Sequence, residues 1–270
     1  MTDQATSSVS LDEIPDAARV VWMRLRDELQ VILRHDLVAM WAHGGTTFSE
    51  GPPRSADLDT YVIVDRRPDE QTSGRIEEAH AEIAREHGVD WDAWYVLAAD
   101  ARESEAPHHV YREGRRDTSW AIHRAHWMAG RYVHLYGLEP AEIVLAPTWL
   151  ELEVDLRREL EHLERHVVEG DTDAHEATYA ILNGSRILHA IETGDVAISK
   201  RSAGGWALEH LPARWHAAIR AAGRAYDAQA TPEDAELLAV EMAPFVATVR
   251  QRLPALDVPS AKTPPRWSGY

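Results

Sequence analysis

The chain contains no cysteine. Disulfides, thiolate-bound zinc and a cysteine nucleophile are therefore excluded. Positive charge is also in short supply. Forty-five Asp and Glu face 28 Lys and Arg, a formal net charge of -17. A chain this acidic is poorly suited to non-specific binding of nucleic acid or anionic membranes, but it can attract a cationic partner. No apolar run approaches the roughly 18 residues of a membrane span. The opening "MTDQATSSVSLDEIPDAARV" has neither the basic nor the apolar segment of a secretion signal. The expectation is a soluble, cytoplasmic protein with no nucleic-acid or membrane partner, monomeric by default. Gly-x-Ser-x-Gly, P-loop and Rossmann signatures are all missing. Trp and His are plentiful, at 10 and 15. Most such rings serve packing rather than ligand binding.

What is present divides into two halves. Apolar spacing from Ile14 to Leu33 predicts a helix over 11–35. "LVAMWAH" (37–43), "LDTYVIVD" (58–65) and "WDAWYVLAAD" (91–100) predict buried strands. An amphipathic helix over 69–88 closes on Gly88 as its C-cap. A polar loop (101–118), a short helix at "WAIHRAHWMAG" and a strand at "RYVHLYG" follow. Beyond Pro147 the stretches 148–170, 173–194, 211–229 and 232–253 all carry helical periodicity. The expected architecture is α/β followed by all-α: a mixed sheet with flanking helices (1–147), a helical bundle (148–260) and a tail (261–270).

The chemistry gathers in "HGGTTFSEGPPRSADLDTYVIV". Residues i and i+2 of a strand share a face, so Asp57 and Asp59 project together. Two adjacent carboxylates repel unless something neutralises them. A Mg²⁺ ion does so, taking hard oxygen ligands while leaving positions for phosphate oxygens and water. Gly44 and Gly45 form a turn whose backbone can approach a triphosphate closely. A solvated loop end is the plainer alternative for the acidic pair taken alone. The glycine pair and the buried strands on both sides favour the metal.

These residues resemble the signature of the polymerase-β-like nucleotidyltransferases: a glycine pair, a short variable stretch, then Asp-apolar-Asp. A second stretch, "ILHAIETGDVAISKRSAGGWALEHLPARWHAAIRAAGRAYD", resembles the C-terminal helical domain of the streptomycin and spectinomycin adenylyltransferases. "VHLYGLEPAEIVLAPT" resembles that family's junction between domains. The likeness runs in order through both halves, over roughly residues 37–228.

The resemblance implies a role for each matching position. Asp57 and Asp59 correspond to metal ligands. Gly44, Gly45, Thr46 and Ser55 fall in the phosphate loop, where Thr46 or Thr47 could supply a hydroxyl. Ala56 separates Ser55 from Asp57, where the family places Ser directly before the Asp. Asp92 stands where the family carries a third carboxylate, as metal ligand or general base, and Asp90 has the same strand parity. The aminoglycoside enzymes use Glu there, so Asp is shorter in reach. Arg186 and Lys200 match cations assigned to ATP phosphates. Glu176 and Asp173 lie at the helix start that contacts the acceptor, although acids there also complement the helix dipole. The ring that stacks on the drug has no clear counterpart in "HHVYREGRRDTSW", with Trp120 and Tyr111 the rings nearby. His162 and His166 have metal-ligand spacing but sit in the heavily charged "ELEHLERH", which reads as a surface face.

The implied function is Mg²⁺-dependent transfer of AMP from ATP to a hydroxyl of a small molecule, of aminoglycoside or spectinomycin type. A carboxylate-lined cleft suits such a cationic acceptor. The rival readings are a nucleotidyltransferase with a protein or other non-antibiotic acceptor, and a non-catalytic member that only binds nucleotide.

Overall fold

The computed structural model describes residues 8–48, 57–112, 114–170 and 173–253. The chain divides into two units, one ending at Pro147 and one beginning at Thr148.

In the N-terminal unit a short 3₁₀ turn precedes α1 (Asp16–Leu33). Pro15 separates the two, so the helix begins later than apolar spacing suggested. Then come β1 (Leu37–Ala42), β2 (Asp57–Val64), α2 (Glu70–His87), β3 (Asp90–Leu97) and a single turn, α3 (Ala98–Ala101). The unit closes with α4 (Trp120–Met128), β4 (Val133–Gly137) and α5 (Pro140–Ile143). α2 is bounded as its sequence dictates. The Asp69 carboxylate accepts the Thr72 N–H at 2.7 Å, and Gly88 takes the left-handed conformation at φ 63°.

The four strands lie in the order β3-β2-β1-β4. β1 runs antiparallel to both β2 and β4, while β2 and β3 are parallel, so the sheet is mixed as expected. Strand alternation sends two residue sets into two cores. Met40, Leu58, Val62 and Tyr95 meet Trp22, Leu25 and Leu29 of α1 and Ile76 and Ile83 of α2. Trp41, Tyr61, Ile63 and Val96 meet Trp120, Trp127 and Met128 of α4. The odd-numbered side of β2 therefore faces α4, and Asp59 lies on that side.

The C-terminal unit holds α6 (Trp149–Glu169), α7 (Ala174–Thr193), α8 (Lys200–His210), α9 (His216–Tyr226) and α10 (Pro232–Arg252). α7 is buried on most of its circumference, and Gly184 lets α10 approach it. A Cβ there would meet Phe245 Cε1 at 2.9 Å and Val249 Cγ2 at 3.1 Å. α8 is a helix that periodicity did not predict. Ser199 caps it, accepting the Ser202 N–H at 2.9 Å, and Ala203, Gly204 and Ala207 form its buried side. Among the described residues no helix is long and apolar enough to cross a membrane.

Candidate active site

β2 and β3 pair with Asp57 opposite Asp90 and Asp59 opposite Asp92. Residues in register on neighbouring strands share a face, as do residues two apart on one strand. Asp59 and Asp92 thus form an acidic block at the start of both strands, with positions 57 and 90 paired beside them in the backbone register. The backbone alone is described for Asp57 and Asp90. Asp59 is half-buried and Asp92 is exposed. β1 delivers the glycine turn to the same place. The N–H of His43 donates to the Asp59 carbonyl at 3.0 Å, and Gly44 follows with φ 83° and ψ -158°, a conformation open to glycine alone. A Cβ on Gly44 would stand 1.8 Å from Oδ2 of Asp59. Backbone and carboxylate are therefore in direct apposition. Gly45, itself exposed, opens a 3₁₀ turn, Gly45–Thr47. The Thr47 hydroxyl is buried and donates to the Gly44 carbonyl at 2.8 Å, so its hydrogen bond is spent inside the loop. Ser55 and the Thr46 side chain lie outside the described part.

Beneath the block sits a polar cluster with no periodic signature. Tyr61 is fully buried, and its hydroxyl donates to Asp117 and shares a 2.8 Å hydrogen bond with His123 Nδ1. Burial pushes that hydroxyl well above its ordinary pKa, and the charges of Asp117, Asp92 and Asp59 push it further. The field of the acidic block thus reaches Tyr61. His43 lies against both rings, with centroids 5.0 Å from Tyr61 and 4.9 Å from His123. Burial first, then His123 and His126, drive its pKa well below normal, so it is neutral. Its Nε2 has no hydrogen-bond partner among the described residues.

Trp120 does not meet the expectation of an acceptor-stacking ring. It is 1% exposed, packs on Tyr61 and Trp127, and its indole N–H donates to the Glu103 carbonyl at 3.3 Å. Trp120 and Trp127 are seven apart on α4, the spacing of a core stripe.

In the helical unit, Glu176, Tyr179, Asn183 and Arg186 form one stripe of α7 at i, i+3, i+7 and i+10. The Arg186 guanidinium donates to the Ile198 carbonyl at 3.1 Å and to Asn183 Oδ1 at 3.2 Å. Burial lowers its pKa from the ordinary value, opposed by Glu159, Tyr179 and Tyr226. The Lys200 ammonium lies 4.7 Å from the centroid of the Tyr179 ring and 5.9 Å from that of Tyr226. Tyr179 in turn donates to Glu159 at 3.0 Å. Arg186 of α7 and Lys200 at the start of α8 are thus both brought near Tyr179. Asp173 is the N-cap of α7, its carboxylate accepting the Glu176 N–H at 2.9 Å. His162 and His166 are not on a solvated face. Both are half-buried, their rings 4.5 Å apart, with His162 against Tyr179 and His166 Nδ1 3.5 Å from the Glu176 carboxylate. The signal for Tyr179 was present in its spacing from Glu176 and Arg186. Nothing in the polar stretch 101–118 singled out Asp117.

A mixed sheet bearing Asp59 and Asp92 beside a glycine turn, followed by an all-α unit, is the arrangement that the sequence resemblance implies. More particularly, residues 155–252 match the family described as aminoglycoside adenylyltransferase, C-terminal domain. The fold is shared with spectinomycin adenyltransferase AAD(9) from Enterococcus faecialis, whose crystal structure holds ATP and spectinomycin. That likeness has a TM-score of 0.70 at 16% identity and covers 87% of this chain and 98% of that one. No curated protein matches the chain. The family match and the shared fold bear out the resemblance read from the sequence.

Proposed function

We propose that this chain is an adenylyltransferase that moves AMP from ATP to a hydroxyl of a small, cationic acceptor of aminoglycoside or spectinomycin type. The observation that carries this reading is the in-register placement of Asp59 and Asp92 beside Gly44. The family match of the helical unit supports it. Asp59 and Asp92 suit a magnesium ion in their chemistry, while no group of three metal-ligating side chains stands together among the described residues. The pair's donors are hard carboxylate oxygens, and the glycine turn leaves backbone, not side chain, against Asp59. Asp57, Asp59 and Asp92 would hold the ion, which supplies charge neutralisation for the triphosphate and for the transition state at phosphorus.

The chain's own groups do the rest. Gly44 and Gly45 keep the phosphate loop free of side-chain bulk. Lys200 and Arg186 offer cations to phosphate oxygens, Lys200 as a point charge and Arg186 as a fixed fork. Asp92, which is exposed, takes the proton from the acceptor hydroxyl, with Asp90 as its alternate. The acceptor oxygen bonds to the α-phosphorus, the bond from that phosphorus to the bridging oxygen breaks, and pyrophosphate leaves. Glu176, on α7, supplies negative charge for an acceptor ammonium.

The direct test is pyrophosphate release from ATP and Mg²⁺ across a panel of aminoglycosides and spectinomycin, with the product identified by mass spectrometry. Release that depends on one of these drugs, with AMP on its hydroxyl, is expected. Labelled AMP on protein, or ATP binding without any drug turnover, would overturn the acceptor assignment.

A further inference from the structure

Asp117 is a charge that the reaction as drawn does not use, placed where a charge is costly. It is 2% exposed. Its Oδ1 accepts the Ser119 N–H at 2.8 Å, and its Oδ2 accepts from the Tyr61 hydroxyl and lies 3.1 Å from His123 Nδ1. Burial works against the charge. The positive field of His123 and the hydrogen bonds from His123, Tyr61 and Ser119 outweigh it and hold the carboxyl below its ordinary pKa.

For stability alone, a buried ionic cluster is commonly replaceable by well-packed apolar side chains. Its geometry here has a direction. Tyr61 lies two residues beyond Asp59 on the same face of β2. His123 lies against His43, whose N–H donates to the Asp59 carbonyl and which Gly44 follows. Two routes therefore lead from Asp117 to Asp59, one along β2 through Tyr61 and one along β1 through His123 and His43.

We propose that Asp117 is a positioning residue for the carboxylate block, holding Asp59 against the Gly44 turn through Tyr61 and His123 and thereby setting the divalent-cation affinity of the site. The inference rests on the reading of that block as a cation site. Groups that orient ligands from behind are commonly worth 10–100-fold in metal affinity.

The test is binding of Mn²⁺, a paramagnetic stand-in for Mg²⁺, to the full chain by calorimetry and electron paramagnetic resonance, with thermal melts as a folding control. Asp117→Asn is expected to weaken Mn²⁺ binding about tenfold, and Tyr61→Phe, which keeps the ring, several-fold. Glu105→Gln removes an exposed carboxylate paired with Arg116. It controls for loss of charge alone and is expected to leave binding unchanged. In turnover the two network variants should lower kcat while the KM for the acceptor stays within about twofold. If Asp117→Asn fails to fold, Tyr61→Phe decides. Wild-type Mn²⁺ affinity in a folded network variant overturns the proposal alone. Absence of Mn²⁺ binding by the wild-type chain overturns both the proposal and the reading beneath it.

Discussion

Gly44 and Asp59 are so closely apposed that a methyl group on the glycine would occupy the position of a carboxylate oxygen, with 1.8 Å between the added Cβ and Oδ2. Gly44→Ala therefore meets two obstacles, a clash and a backbone at φ 83°. The strain is expected to cost about 2 kcal/mol of stability. Because the carboxylate must turn away, activity should fall further than the folded fraction does. Urea unfolding beside specific activity per folded molecule checks this. A variant that keeps full activity would show that Asp59 need not sit against the turn.

The acidic block makes a second prediction in which stability and activity move in opposite directions. Like charges on adjacent strands repel when no cation is bound. Asp59→Asn and Asp92→Asn should therefore hold or raise the melting temperature in chelator while lowering kcat on the order of 100-fold. Mg²⁺ should stabilise the wild-type chain and leave Asp59→Asn unmoved, since a ligand of the folded state raises its apparent stability. Melting curves with and without Mg²⁺ separate these outcomes. Equal stabilisation of both chains would place the cation elsewhere.

Lys200 is steered by a ring, and that can be tested without removing the lysine. Its ammonium lies 4.7 Å from the Tyr179 centroid, a contact worth roughly 1 kcal/mol at a partly exposed site. Tyr179→Leu should raise the KM for ATP about fivefold with little change in kcat. Tyr179→Phe, which keeps the ring and loses the hydrogen bond to Glu159, should stay within roughly twofold of wild type. If the two variants behave alike, the hydroxyl rather than the ring is what matters.

The sequence reading succeeded where a short-range pattern carries the physics. Alternation along "DLDTYVIVD" predicted the buried strand that carries Asp59, and Gly88 as a C-cap marked the end of α2. It fell short where pairing between distant segments decides. The register that sets Asp92 opposite Asp59 is a property of two strands, not of either one. The meeting of Lys200 with Tyr179 likewise needs α8, whose Gly204 and Gly205 weaken its helical signal. Trp120 lies near the place where the resemblance puts an acceptor-stacking ring, but its spacing from Trp127 marks a core side chain. Asp117 lay in that loop without a pattern, and only tertiary structure joins it to Tyr61.

The far side of the sheet makes a prediction about acid. His80 Nε2 shares a 2.7 Å hydrogen bond with the Tyr95 hydroxyl, and burial, with Glu77 opposing and Arg112 assisting, lowers its pKa to about 4. His109 accepts the Arg112 N–H at Nδ1 at 3.2 Å, and burial, aided by Arg112, lowers its pKa to about 4 as well. Both are neutral in the folded chain, whereas in the unfolded chain they protonate near the ordinary value of 6.5. Between those limits the unfolded state binds more protons, so stability is full above about pH 6.5 and falls as pH drops toward 4. The shift at His80 corresponds to about 3 kcal/mol across that window. Urea unfolding at intervals from neutral to mildly acidic pH should show the decline, and His80→Gln should flatten it relative to wild type. An unchanged slope in that variant would mean that the acid sensitivity comes from carboxylates or from His109 alone.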